Sequence, residues 1–191
     1  SSPSRHRHHR CFLATALIIM DIFDAAVDPN GLPLLKRLIE EKTNIEARNK
    51  QGCTPLHLGA RFNLLEIVKY LVSKKADIEA GDKHGNSPLH WGSRRGNIKI
   101  VRYLVRMKAN TEAKNSTGKT PLYLAARYDR VEIVKYLVSK KADIEAGDKH
   151  GDLPIHASAE YAPRMVKFLV SKANIEAKNE NGWTPLNSGS Y

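Results

Sequence analysis

Apolar residues in this chain gather into paired clusters, and the pairs recur. Leu56 and Ala60 lie four positions apart on one side of a short segment that opens at Thr54-Pro55. Ile67, Val68, Leu71 and Val72 then take the three- and four-residue spacings of a second amphipathic helix. Thr or Ser followed by Pro starts a helix well, because the hydroxyl caps the first N–H groups and Pro loses no needed hydrogen bond there. The pattern predicts a unit of two short antiparallel helices joined by a tight turn.

The unit repeats along the chain. Residues 66–85 read EIVKYLVSKKADIEAGDKHG, and residues 132–151 repeat them letter for letter after 66 positions, twice a 33-residue period. Thr54-Pro55-Leu56-His57, Ser87-Pro88-Leu89-His90, Thr120-Pro121-Leu122-Tyr123 and Leu153-Pro154-Ile155-His156 keep that spacing; Thr184-Pro185-Leu186-Asn187 follows after 31. Gly52, Gly85, Gly118, Gly151 and Gly182 mark a tight turn before each of these segments.

These residues resemble the ankyrin repeat family, whose signature joins T-P-L-H, a pair of small residues, and a segment like Ala76-Asp77-Ile78-Glu79-Ala80. That last segment returns at 142–146 and, as Ala173-Asn174-Ile175-Glu176-Ala177, at 173–177. The resemblance covers about residues 21–187. It implies an all-α solenoid of stacked helix-turn-helix units with hairpin-like turns. Where the family prefers a left-handed Gly between the helices, this chain has Asn63, Gly96 and Asp129, and Asn and Asp tolerate that conformation. One helix pair cannot bury its apolar face alone, so stability must come from neighbours.

The period divides the array into units near 21–53, 54–86, 87–119, 120–152 and 153–183, with a partial unit at 184–191. In the first, Asp21 stands where Thr54 does, and Leu34, Leu35, Leu38 and Ile39 supply the second helix without a T-P-L motif. The unit from Leu153 is two residues short, near Ala162-Pro163 and near Lys172, which predicts an irregular interhelical turn. The stub after Thr184 offers little capping surface, so a longer array is expected.

Residues 1–20 stand apart as a basic tail, Ser1 to Arg10, and an apolar run, Cys11 to Met20. Together they loosely imitate a secretory signal. The preferred reading is a tail followed by a helix over the open end of the stack. The run is well short of the ~20 residues that span a bilayer, so no membrane contact is expected.

The net charge is +11; Arg5, Arg7 and Arg10 in an acid-free first ten residues leave +8 for the remainder. A basic surface favours acidic partners without specifying nucleic acid. Two cysteines, Cys11 and Cys53, give neither a disulfide framework nor metal spacing, which suits the cytoplasm or nucleus.

Catalytic chemistry finds no footing. No nucleophile elbow, phosphate loop, zinc spacing or carboxylate pair occurs, so neither an enzyme nor a cofactor is expected. His57, His90 and His156 share one repeat position, about 10 Å apart if helix-packing distances apply, too far to share a metal ion. The resemblance gives this His a bond across the turn region. His6, His8 and His9 read as tail rather than metal site, and Glu46, Glu79, Glu112, Glu145 and Glu176 as a solvated column.

Binding is the remaining class. The resemblance places variable positions at the end of the first helix and at the turn tips. At the helix ends these are Arg61-Phe62, Arg94-Arg95, Arg127-Tyr128 and Glu160-Tyr161. At the tips they include Lys50, Gln51 and Cys53, Lys83, His84 and Asn86, Ser116, Thr117 and Lys119, Lys149, His150 and Asp152, and Trp183. Arg61, Arg94 and Arg127, 33 apart, line up with Phe62, Tyr128 and Tyr161 beside them. Arg and aromatic residues concentrate binding energy, and the guanidinium fork fits carboxylates. The opposing view is a solvated face copied with each unit. Trp91, where neighbouring units have Leu58 and Leu124, reads as core filler.

The resulting expectation is a monomeric protein–protein interaction module or scaffold that holds an acidic segment in its groove. Two alternatives stay open. One is nucleic-acid or oligonucleotide-phosphate binding in a basic, aromatic groove. The other is a structural spacer in a longer protein.

Overall fold

The computed structural model describes residues 22–159 and 162–188. It contains eleven helices and no strand among them. They are α1 (22–27), α2 (Leu32–Glu40), α3 (Pro55–Arg61), α4 (Leu65–Ser73), α5 (Pro88–Arg95), α6 (Ile98–Arg106), α7 (Pro121–Arg127), α8 (Val131–Ser139), α9 (Pro154–Ala159), α10 (Pro163–Leu169) and α11 (Pro185–Ser188). The chain is an all-α solenoid.

Each inner helix begins as its sequence dictates. Thr54, Ser87 and Thr120 are extended, and a Pro follows at the first helical position. Thr120 Oγ1 accepts the Tyr123 N–H at 3.1 Å. Asn63, Gly96 and Asp129 end these helices at φ 63°, 86° and 55°, and let Leu64, Asn97 and Arg130 donate N–H groups to the carbonyls of Gly59, Gly92 and Ala125. This is the bond pattern of a Schellman motif.

The outer helices α2, α4, α6 and α8 end the same way, with a difference the sequence reading did not anticipate. Their left-handed residues are Lys42, Lys75, Lys108 and Lys141, at φ 63–67°. Thr43, Ala76, Ala109 and Ala142 then donate to the carbonyls of Leu38, Leu71, Leu104 and Leu137 at 3.0 Å. The fifth unit is short here. Ala173 donates instead to Leu169 at 2.7 Å, four residues back, so the exit turn loses its left-handed residue. The irregular turn expected near Ala162 falls at residues 160–161, outside the described residues.

The core is a column of repeated trios. Leu56, Ile67 and Leu71 are followed one unit on by Leu89, Ile100 and Leu104, then by Leu122, Ile133 and Leu137, then by Ile155, Met165 and Leu169, all fully buried. The small pairs Gly59-Ala60, Gly92-Ser93 and Ala125-Ala126 are buried in the inner helices. The inner helices contact each other far more extensively than the outer ones. Closer packing on one side bends the stack, so the inner helices and the turn tips form its concave face.

Three further ladders join the units. At the tips, Lys83, Ser116, Lys149 and Glu180 donate N–H groups to the carbonyls of Gln51, His84, Thr117 and His150 at 2.9–3.1 Å. The glutamates expected to be a solvated column form the second. Glu46 Oε1 accepts from Asp77 N–H at 2.9 Å, Glu79 from Asn110 at 2.7 Å, Glu112 from Asp143 at 3.3 Å and Glu145 from Asn174 at 2.8 Å. The carboxylates are exposed or half-exposed, but four of them bond the next unit, because the turn after each outer helix leaves an N–H within reach. Inner-helix ends supply the third: Asn97 Nδ2 donates to Ala60 O at 2.7 Å, and Arg130 Nε to Arg94 O at 3.2 Å.

Candidate partner-binding face

The ends of the inner helices bring arginines and aromatic rings into one row. Arg61 closes α3 and its guanidinium lies 5.2 Å from the Phe62 ring centroid and 4.9 Å from that of Trp91. Arg94, in the last turn of α5, covers Trp91 at 5.5 Å and Tyr128 at 4.9 Å. The order Phe62, Arg61, Trp91, Arg94, Tyr128 therefore alternates ring and cation across three units. Each contact is worth about 0.5–1 kcal/mol at an exposed site. Together they hold long side chains that would otherwise sample many rotamers.

Trp91 is the centre of this row, contrary to its expected role as core filler. It is half-buried, whereas Leu58 and Leu124 at the same position are buried. A Leu ends at the core surface; the larger indole continues past it into the groove. Its Nε1–H donates to Asp82 Oδ2 at 3.0 Å, and Asp82 Oδ1 accepts from the N–H groups of His84 and Asn86 at 2.8 and 2.9 Å. Burial alone would raise the Asp82 pKa, but these donors outweigh it and hold the carboxyl below its ordinary value. A charged, tightly bonded carboxylate thus fixes the indole edge.

Behind the row lie the repeated histidines. His57 Nδ1 accepts from Thr54 N–H at 3.0 Å, so Nε2 carries the proton and donates to Asn86 O, in the turn that ends the same unit, at 2.9 Å. His90 does the same between Ser87 and Lys119, at 3.0 and 3.1 Å, and His156 between Leu153 and Trp183, at 3.2 and 3.0 Å. Leu153 cannot cap through its own side chain, yet the His156 ring still closes that turn. Burial depresses His57 and takes His90 to about 4.

The family model for ankyrin repeats (3 copies) matches the chain at residues 22–115, 82–148 and 107–179. The chain belongs to the ankyrin-repeat family. Ankyrin repeats are generally protein–protein interaction modules, and the family is typically non-enzymatic. No curated protein matches the chain.

In this ankyrin-repeat array the residues singled out by sequence divide into groups. Arg61, Phe62, Arg94 and Tyr128 meet through Trp91. Arg95 is exposed beyond them. Arg127 closes α7 and borders a cleft of about 200 Å³ with Tyr123, Asp152, His156, Asn181 and Trp183. Among the described residues no ring covers Arg127, and neither it nor Arg61 nor Arg94 forms an ion pair. Tyr161 lies outside the described residues. Lys83, His84, Lys149 and His150 sit at the tips with exposed side chains, while their backbones join units.

Cys53, included among the tip positions, is buried beside Ala26 and Leu58 and offers no contact surface. Burial, then the nearby Asp82 carboxylate, pushes its thiol pKa up. The site residues missed by sequence are Trp91 and Asp82. Their signal was available: Trp91 is the largest residue at a position held by Leu58, Leu124 and Ala157 in other units, and Asp82 lies nine residues before it at the turn tip.

Proposed function

We propose that the concave face binds an acidic segment of another protein, extended or helical, across the ends of α3, α5 and α7. The observation that carries this reading is the alternating row from Phe62 to Tyr128. Rings on both sides orient the Arg61 and Arg94 guanidiniums, and their N–H edges suit carboxylates, with charged hydrogen bonds of about 1.5–3 kcal/mol. Trp91 supplies a rigid apolar anchor of the kind that concentrates binding energy. Phosphate-backbone binding in this groove has less support. The rings are already covered by guanidiniums rather than open to bases, and Asp82 and Asp152 stand among the cations. The proposed setting is the cytoplasm or nucleus, in keeping with a buried free thiol at Cys53.

The test is selection from a random displayed peptide library, followed by titration of the winners against the parent and Arg61→Glu/Arg94→Glu chains. Enrichment in Asp and Glu, with at least tenfold weaker binding to the variant, is the expected result. Winners without acidic residues, or equal affinity for a variant that keeps its helical circular dichroism, would refute the assignment.

A further inference from the structure

The charge of this protein is divided between its two faces. The outer helices and the turns that close them, residues 32–42, 64–75, 97–108, 130–141 and 163–172, hold seventeen Lys and Arg against four acids. The rest of the chain from residue 22 holds eleven against fifteen. The excess that makes the protein basic therefore lies behind the groove.

It is also ordered. Lys36, Lys69, Arg102 and Lys135 recur at one register of the outer helices, and Lys42, Lys75, Lys108 and Lys141 at another. Lys69 stands four residues before the end of α4 and Lys75 just past it in the left-handed turn, so the two rows run roughly 6–9 Å from each other along the helix axes. Successive members within a row are about 10 Å apart, the distance between packed helices. Between α6 and α8 the rows flank a cleft of about 340 Å³ framed by Arg102, Val105, Arg106, Tyr136 and Lys140. Arg102 and Lys140 lie over the Tyr136 ring at 4.8 and 5.7 Å, and Glu132, 3.8 Å from Arg102, is the acid beside them.

We infer that this outer-helix face docks the phosphate backbone of a nucleic-acid duplex, independently of what the groove binds. Two cation rows roughly 6–9 Å apart, on flexible stems, suit phosphates on either side of a groove whose width is about 6 or 12 Å. Tyr70 and Tyr136 are covered by cations, so they are not open platforms for the bases of a single strand. On this face only Met107 and Val170, among the described residues, are large exposed hydrophobics. That gives a bilayer no row of apolar side chains to receive. Its rings, Tyr70, Tyr103, Tyr136 and Phe168, are all half-buried, so it presents no exposed aromatic side chain such as Phe62 or Tyr128 to an acidic protein partner. Contacts of this kind are independent of base sequence and sensitive to salt.

The experiment is fluorescence anisotropy of a labelled random-sequence duplex of about 24 base pairs, titrated with the whole chain over a range of salt concentrations. Two variants with the same change in net charge are compared: Arg102→Glu/Arg106→Glu/Lys140→Glu on the outer face and Arg61→Glu/Arg94→Glu/Arg127→Glu in the groove. A Gln version of the outer-face variant, checked by circular dichroism, guards against misfolding. The expected result is duplex binding that falls linearly with salt on logarithmic axes. At about 0.1 M salt the outer-face Glu variant should lose at least tenfold, the Gln version less, and the groove variant under threefold. No duplex binding at about 50 mM salt would overturn the inference, as would equal loss in both Glu variants. Sedimentation with phosphatidylserine vesicles under the same conditions, without duplex binding, would assign the face to a membrane instead.

Discussion

His90 donates its Nε2–H to the backbone carbonyl of Lys119, in the turn that closes its own unit, at 3.1 Å, while its Nδ1 accepts from Ser87 N–H. Both bonds need the neutral ring in a single tautomer, because protonation would put a hydrogen on Nδ1 where an acceptor is required. The imidazole is therefore a structural clamp between the start of its inner helix and the turn that leads into the next unit.

A pH dependence of stability follows. The unfolded chain takes up a proton at this histidine near pH 6.5, whereas the folded chain resists until about 4, chiefly because of burial. Between those values the unfolded state binds more protons, so stability is fully present above pH 6.5 and falls as the pH drops towards 4. His90 alone should cost about 2 kcal/mol by pH 5 and about 3 in the limit. His57, also depressed by burial, acts in the same direction over this range, whereas Asp82, depressed below the ordinary carboxylate value of 3.8, loses its contribution only at more acid pH. Urea unfolding at pH 7.5 and 5 measures the difference. His90→Tyr, which copies Tyr123, should flatten it; an unchanged slope would remove His90 as the cause.

At Trp91 the expected outcome separates binding from folding. Trp91→Leu installs the residue of neighbouring units at this position, and removes the Asp82 bond and the rings between two guanidiniums. Stability should fall by about 1–2 kcal/mol, while affinity for a selected acidic peptide falls at least tenfold. Arg95→Ala, outside the row, should change affinity by less than threefold. Thermal melts and calorimetric titration of both variants decide the matter, and a peptide that binds Trp91→Leu as well as the parent would show that the row is decorative.

The array was legible in the sequence because its information is periodic. Each trio such as Leu89, Ile100 and Leu104 recurs at the same spacings, so every unit repeats the evidence of the last. What escaped depends on side-chain length or facing. The position of Trp91 fixes where its Cβ points, but not that the indole extends past the core to Arg61 and Arg94. The glutamate column is polar in sequence, and only the turn beside it shows that Glu79 bonds the N–H of Asn110. Net charge carries no sidedness until the outer helices are assigned to one face.

The lysines at the outer-helix ends are a reserve of stability. Lys75, Lys108 and Lys141 hold left-handed backbone that costs a residue with a Cβ about 1 kcal/mol. Glycine adopts it without that strain, although it loses more freedom on folding. Each Lys→Gly change should therefore stabilise by about 0.5 kcal/mol, and the triple variant should melt a few degrees higher. A lower melting temperature would mean that these side chains contribute more to the fold than their backbone strain costs.

Two glycines with the same backbone conformation should respond differently to one methyl group. Gly118 and Gly182 have φ values of 80° and 75°, so alanine brings similar left-handed strain to both, about 1 kcal/mol. Their surroundings differ. A Cβ at Gly118 would stand 2.7 Å from the backbone nitrogen of Lys149, whereas at Gly182 it would meet nothing within 4 Å. The Lys149 N–H is the one that bonds Thr117 O, so relieving the clash must separate two units at their tips. Gly118→Ala should cost about 2–4 kcal/mol, Gly182→Ala about 1. Chemical unfolding of the pair reads strain alone against strain plus a broken joint, and equal losses would show that the turn tips contribute nothing to cohesion between units.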